Sequence, residues 1–269
     1  MKITKDQLRF WDACRDGYEW FLRRFPAGEA DYQAVLDALA ADDRPQYAHW
    51  LMDRAGADAT SVLEVDIVDT KHLFFAGHIR IARSVMLSGA LRAGSGITAG
   101  SGITAGDGIK AGWGIKAGDG ITAGAGITAG DGIEAGSGIK AGWGITAGSG
   151  ITAGDGIEAG SGIKAGDGIE AGSGIKAGWG IEAGWGIEAG SGITAGDGIK
   201  AGSGIKAGDG ITAGSGITAG KGWACFAGLR LRVEDWGVYA KVIAKTKPEH
   251  LVGGSWIEPD AQAQPPQTA

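Results

Sequence analysis

The residues of this chain best suited to catalysis or metal binding are a few histidines and cysteines. They are Cys14, Cys225, His49, His72, His78 and His250. His72 and His78 are six residues apart and could flank a metal or supply a base, but neither a carboxylate nor a thiol cluster accompanies them. We expect both to be ordinary surface residues, and we predict no catalytic residue, no metal site and no bound cofactor.

Two further patterns resemble functional motifs. Repeated Gly-x-Gly segments are similar to phosphate-binding loops, but those loops join a strand to a helix N-terminus, and here every such segment joins two predicted strands. Recurring threonines resemble an ice-binding array, but lysine and glutamate interrupt them. We assign neither function to the chain.

Four tryptophans stand out because they occupy a turn position that elsewhere holds Ser, Asp, Ala or Lys. They are Trp113, Trp143, Trp179 and Trp185. We expect them to point outward, where tryptophan offers a large apolar contact area at low entropic cost. They are the predicted binding residues. The alternative is that each shields a glycine-rich turn or is a relic of duplication.

Composition excludes several classes of protein. The 269 residues include 53 glycines without the Gly-X-Y period of collagen, which indicates another kind of repeat. The formal charge of −6 is spread along the chain, so direct nucleic-acid binding is not expected. The widely separated cysteines fit a reducing compartment, and neither a secretory signal nor a membrane-spanning stretch is evident. We therefore expect a cytoplasmic protein.

The N-terminal part has the apolar spacing of helices. A helix is predicted from about Lys5 to Phe25, a second from Ala30 to Ala41, and a third beginning at Pro45. Larger apolar pairs then recur every six residues. The predicted divisions are a helical domain at 1–57, an N-terminal cap with the first coils at 58–96, a hexapeptide-repeat solenoid at 97–222, a C-terminal β cap at 223–257 and a disordered tail at 258–269.

Isoleucine stands at every sixth position from Ile97 to Ile217, in the pattern Ile-x-Ala-Gly-x-Gly. Isoleucine and alanine two residues apart share one face of a short strand, and Gly-x-Gly supplies a turn. Trp223 with Cys225, then Leu229 with Leu231, continue this phase with larger residues. The pattern predicts a mainly β fold, a parallel β-solenoid whose ends are covered by bulky caps.

The charged residues indicate how many hexads make one coil. Coils of 12 residues would stack Asp107 on Asp119 and create three further Asp pairs, whereas coils of 18 residues create none. The 18-residue register instead stacks Lys on Glu six times, as at Lys164 and Glu182, with Glu170 on Glu188 as the one like pair. Stacked like charges are destabilising. We therefore predict a three-sided solenoid.

Read from alanine, the unit Ala-Gly-[Ser/Asp/Trp]-Gly-Ile-[Thr/Lys/Glu] resembles the hexapeptide repeat of left-handed parallel β-helices, familiar from hexapeptide acyltransferases. The resemblance covers roughly half of the chain and departs from the family by placing Ala at the aliphatic position and Ile at the small one. It implies left-handed coils. The related enzymes work through a histidine near a subunit groove, but this repeat contains no histidine.

The leading functional hypothesis is a non-catalytic scaffold that binds a protein partner, with homo-oligomerisation also open. One alternative is a phage or mobile-element inhibitor of a host nucleic-acid-handling or defence enzyme, an analogy from other repetitive solenoids. The other is an acyltransferase-like enzyme, for which stabilisation by an acyl-coenzyme A would be expected.

Overall fold

The computed structural model describes residues 1–66, 68, 70–221, 223–228, 238 and 240–259. The chain divides into two compact units, Met1–Gly130 and Asp131–Ala269. The predicted strand residues Leu229 and Leu231, and the predicted disordered tail from residue 260 onward, lie outside the described residues.

The N-terminal segment of the first unit is helical, as predicted, but its first predicted helix is two helices. Asp12 interrupts it with a φ of 58°, in the left-handed region, and the amide of Ala13 donates to the carbonyl of Leu8. The prediction of one helix from Lys5 to Phe25 was therefore wrong. The helices are α1 Lys5–Phe10, α2 Arg15–Arg24, α3 Tyr32–Ala41 and α4 Pro45–Ala55.

A short antiparallel sheet, which was not predicted, ties these helices together. Strand β1 (Lys2–Thr4) pairs with β2 (Glu29–Asp31). Thr4 begins α1 with a capping box, and Asp31 caps α3 by accepting from the amide of Gln33. The helices share one apolar core, in which Phe21 and Leu36 are fully buried.

The rest of the first unit is a three-sided parallel solenoid. Its strands form three stacks, with orders β4-β7-β10-β13, β3-β5-β8-β11 and β6-β9-β12. The strands are β3 Val62–Val65, β4 Leu73–Phe75, β5 His78–Ile81, β6 Val85–Leu87, β7 Leu91–Ala93, β8 Ile97–Ala99, β9 Ile103–Ala105, β10 Ile109–Ala111, β11 Ile115–Ala117, β12 Ile121–Ala123 and β13 Ile127–Ala129.

The second unit repeats this architecture. Its three stacks are β16-β19-β22-β25-β28, β14-β17-β20-β23-β26-β29-β31 and β15-β18-β21-β24-β27-β30-β32. The strands are β14 Ile133–Ala135, β15 Ile139–Ala141, β16 Ile145–Ala147, β17 Ile151–Ala153, β18 Ile157–Ala159, β19 Ile163–Ala165, β20 Ile169–Ala171, β21 Ile175–Ala177, β22 Ile181–Ala183, β23 Ile187–Ala189, β24 Ile193–Ala195, β25 Ile199–Ala201, β26 Ile205–Ala207, β27 Ile211–Ala213, β28 Ile217–Thr218, β29 Cys225–Ala227, β30 Lys241–Ile243, β31 Leu251–Gly253 and β32 Ser255–Ile257.

The strand register confirms the three-sided coil of about 18 residues. Lys164 stands opposite Glu182, with their charged atoms 3.1 Å apart, and the predicted like pair of Glu170 and Glu188 is also in register. Lys140 likewise reaches Glu158 at 3.3 Å. These predicted pairs of opposite charge are therefore neighbours in the structure.

Close stacking of the coils explains the first glycine of each Gly-x-Gly turn. A Cβ placed on Gly112 would overlap the carbonyl oxygen of Gly94, one coil earlier, and Gly166 has the same relation to Gly148. The second glycine of the turn is less constrained, since a Cβ on Gly168 would lie 3.4 Å from the carbonyl oxygen of Gly186. The two glycines of one turn thus have different structural roles.

The helical segment covers the edge of β4 within the first unit. The Gln33 side chain, on α3, donates to the carbonyl of Phe74 at 2.8 Å and accepts from the amide of Ala76 at 3.1 Å. It therefore supplies two of the hydrogen bonds that a preceding strand would otherwise make. Phe74, at an outward position of β4, is buried beneath the helices.

A second contact joins α4 to the outward face of β7. Arg92, in the position that holds Thr, Lys or Glu in the repeat, donates to the carbonyl of His49 at 2.8 Å and to the carboxylate of Asp53 at 2.6 Å. Lys110 also reaches Asp53, at 3.1 Å. Burial, followed by the nearby Arg92 charge, lowers the pKa of His49 to about 4.

The end of the repeat departs from the predicted phase. Cys225 pairs with Ile205 and Ala227 with Ala207, so Cys225 and Ala227 take the inward positions. The sequence reading had placed Trp223 and Cys225 there. The two additional residues lie between Ile217 and Cys225, where the amide of Trp223 donates to the carbonyl of Gly220.

Replacing the first turn glycine should be far more harmful than replacing the second. We expect Gly166→Ala to lower the free energy of unfolding by more than about 2 kcal/mol, because the new Cβ would displace the backbone and strain the hydrogen bond from Gly166 to Ala147. Gly168→Ala, the matched control, should change it by less than about 1 kcal/mol. Equal losses in chemical denaturation would contradict this account.

Acidification should weaken the contact between α4 and β7. The unfolded chain binds a proton at His49 near the ordinary pKa of 6.5 and the folded chain only near 4, so stability falls as the pH drops through this interval. The loss attributable to His49 is at most about 3 kcal/mol.

The measurement is unfolding free energy against pH for the wild type and His49→Gln. The variant should lose part of the pH dependence between 6.5 and 4, since it has no imidazole to protonate. Identical slopes for the two proteins would show that His49 does not contribute.

Candidate binding site on the turn tryptophans

The four tryptophans predicted as binding residues all have exposed side chains. The exposed fraction is 48% for Trp113, 69% for Trp143, 66% for Trp179 and 69% for Trp185. Trp113 belongs to the first unit and the other three to the second. Tryptophan is normally well buried in proteins, so this degree of exposure is informative.

The turn backbone explains why these side chains are free to vary. From Ser149 to Ser215, each turn residue donates its amide to the carbonyl of the turn residue one coil earlier, as Trp179 does to Ser161 at 3.1 Å and Ser161 does to Trp143 at 3.0 Å. These bonds involve only the main chain. The coil therefore holds its shape with Ser, Asp or Trp at this position, and the indoles are not needed for packing.

Trp223 is a fifth exposed tryptophan, which the sequence reading assigned to the interior. Because Cys225 pairs with Ile205, Trp223 takes the turn position that follows Ser203, and its side chain is 57% exposed. Ser203 in turn donates to the carbonyl of Trp185. Trp185 and Trp223 are therefore two coils apart on one edge, as Trp143 and Trp179 are on another. The sequence pattern did not predict this alignment of Trp185 with Trp223 because the repeat shifts by two residues after Ile217.

A groove of about 570 Å³ runs beside the first of these edges, and we call it the Trp185 groove. Trp185 and Trp223 form one wall, and the outward side chains of β17, β20, β23 and β26 form the other. Its floor is a row of second turn glycines without side chains. The residues that line this groove include Gly150, Thr152, Asp167, Gly168, Glu170, Trp185, Gly186, Glu188, Ser203, Gly204, Lys206 and Trp223.

A second groove, of about 730 Å³, has the same construction beside Trp179, and we call it the Trp179 groove. Its charged lining residues are Lys164, Glu182 and Lys200, which are consecutive neighbours in the strand register. Lys164 donates to Glu182 at 3.1 Å. The carboxylate of this groove thus has a lysine on each side.

The Trp185 groove has a different charge distribution. It contains Asp167, Glu170 and Glu188 against a single lysine, Lys206, whose ammonium lies 3.7 Å from Glu188. In the register, Glu170 has Thr152 on one side and Glu188 on the other. This groove is therefore acidic, and it places two carboxylates next to each other.

The helical segment has a separate apolar hollow of about 210 Å³. Trp20, Tyr47 and Trp50 contribute to its lining, and Cys14 stands at the exposed N-cap of α2. Cys225, by contrast, is buried, and burial raises the pKa of its thiol to about 11. The two cysteines thus differ in accessibility.

The histidines do not form a common site. His72 is buried, contrary to the expectation of a surface residue, because its Nδ1 accepts from the amide of Ala90 and its Nε2 lies 2.7 Å from Asp43. His78 contacts the Thr98 hydroxyl at 3.1 Å. In the parts of the chain that the structure describes, no three His, Cys, Asp or Glu side chains are grouped as metal ligands.

The same described residues contain no helix with the length and apolarity needed to cross a membrane. In a comparison with protein families, the family described as the YdhT N-terminal domain matches residues 1–57, the helical segment. Searches with the whole chain match neither a curated protein nor a solved structure.

Proposed function

We propose that this protein is a non-catalytic scaffold that binds a protein partner through the tryptophan-bearing turns of its solenoid. The observation that supports this most is the exposure of Trp143, Trp179 and Trp185 at a position where main-chain hydrogen bonds join the coils. Trp223 is exposed beside them. An exposed indole that packing does not require costs solubility, and a contact surface would compensate for that cost.

The grooves support the same proposal, because each places an indole beside a floor of glycines and a row of charged side chains. Apolar anchors bordered by charged groups are typical of protein interfaces. We further propose a cytoplasmic location and, from the hexapeptide resemblance, left-handed coils.

Substituting the tryptophans should separate binding from folding. We expect the combined change of Trp143, Trp179, Trp185 and Trp223 to Ser to leave the circular dichroism spectrum unchanged and the melting temperature within a few degrees of the wild type. Serine already occupies this turn position at Ser161 and Ser203. The same variant should lose the partner that the wild-type protein retains in affinity capture with mass spectrometry.

A matched control changes the same turn position without removing an indole. Asp155, Asp197 and Asp209 replaced together by Ser should retain the partner. A partner bound equally by the tryptophan variant and the wild type would overturn the proposal.

A further inference from the structure

The spacing of the two tryptophans along the Trp185 groove restricts which ligands could contact both of them. Trp185 and Trp223 stand two coils apart on one edge, with Ser203 between them. Neighbouring strands lie about 4.8 Å apart, so equivalent positions two coils apart are separated by about 9.6 Å. A ligand lying along the groove therefore meets an indole at intervals of about 9.6 Å.

Among peptide conformations, the polyproline II helix fits this interval. It has three residues per turn and rises about 3.1 Å per residue, which gives a period of about 9.3 Å. An extended strand repeats its side-chain direction every two residues, or about 6.7 Å, and an α-helix repeats every 5.4 Å or so. Prolines three residues apart would thus present the same ring face to Trp185 and to Trp223.

The shape of the groove also suits a polyproline II ligand. Its floor, at Gly150, Gly168, Gly186 and Gly204, has no side chains, so a rod-like peptide could lie close to the backbone. The Trp223 ring leans over this floor, since its Cε3 lies 3.9 Å from the position of a Cβ on Gly204. Proline-rich segments dock in aromatic-lined grooves, where their preformed conformation reduces the entropic cost of binding.

The charges of the groove specify the ligand further. Glu170 stands between Thr152 and Glu188 in the register, and the ammonium of Lys206 lies 3.7 Å from the carboxylate of Glu188. Adjacent carboxylates repel each other, and a ligand cation near Glu170 would relieve this repulsion. An arginine is well suited, because its guanidinium can donate two hydrogen bonds to one carboxylate.

We propose that the Trp185 groove binds a proline-rich, basic segment of another protein in the polyproline II conformation. This inference rests on the proposed function and names the class of partner. The C-terminal sequence of this chain includes Pro265 and Pro266, but its charged residues from Glu258 onward are acidic. The charge of the groove therefore favours a segment of a different protein.

The test uses the full-length protein and a fluorescent peptide of four Pro-Pro-Arg repeats, followed by fluorescence anisotropy at low salt. Trp185→Ser and Trp223→Ser should each weaken binding by about tenfold, the effect of removing an aromatic anchor. Ser191→Ala, which changes a turn residue on the edge of the second unit that carries Ser173 and Asp209, should leave the affinity unchanged. Melting temperatures check that each variant is folded.

Two further comparisons test the charge and the conformation separately. Glu170→Gln should weaken the arginine peptide several-fold and reduce its dependence on salt. A peptide of four Gly-Gly-Arg repeats, which has the same charge but no proline, should bind at least about tenfold more weakly. Pro-Pro-Glu repeats should not bind.

Several results would overturn the proposal. They are equal binding of the glycine and proline peptides, equal losses in Ser191→Ala and Trp185→Ser, or binding of an uncharged β-linked glucan oligosaccharide in place of the peptide. If partner capture still depended on the tryptophans while the peptide failed to bind, this inference would be wrong and the scaffold function would stand. If capture did not depend on them, the scaffold proposal itself would fail.

Discussion

In each unit, the carbonyl oxygen of the first turn glycine lies where a Cβ on the first turn glycine of the next coil would be. This contact, as between Gly148 and Gly166, sets how closely the coils can stack, and the separation it allows suits the parallel strand ladder. A larger residue would push two coils apart and weaken the hydrogen bonds on both sides of the turn. The isoleucines and alanines of the strands can then fill the interior, since all of them from Ile97 to Ile217 are buried.

Two rows of side chains on each side of the coil do not fill its interior. They are the outward strand residues and the middle residues of the turns. The row of Thr, Lys and Glu is exposed, and its ion pairs contribute about 0 to 1 kcal/mol each, so they favour one register without dominating stability. The turn side chains of the second unit, such as those of Trp179 and Trp185, point away from the core. Differences between the Trp185 groove and the Trp179 groove therefore arise from substitutions that leave the packing of the core unchanged.

The sequence predicted the solenoid well because its information is local and repeated. A coil of two hexads would have placed Asp107 on Asp119, whereas a coil of three hexads does not, so the charges alone predicted three sides. The helical segment was harder to predict. The left-handed backbone at Asp12 splits an otherwise continuous helical pattern, and the burial of Arg92 and His72 depends on helices that approach from elsewhere in the chain. Trp223 was misplaced because the phase shifts by two residues after Ile217, which no periodic pattern can anticipate.

The six-residue unit and the 18-residue coil respond differently to changes in length. Within Asp131–Ala269, gaining or losing one hexad would keep isoleucine over isoleucine in the core. It would also move every later turn residue to the next of the three edges. A tandem-repeat gene that changes by single hexads could thus separate Trp143 from Trp179 while preserving a stable protein. Only changes of three hexads keep the exposed indoles aligned, so the surface constrains repeat number more tightly than the interior does.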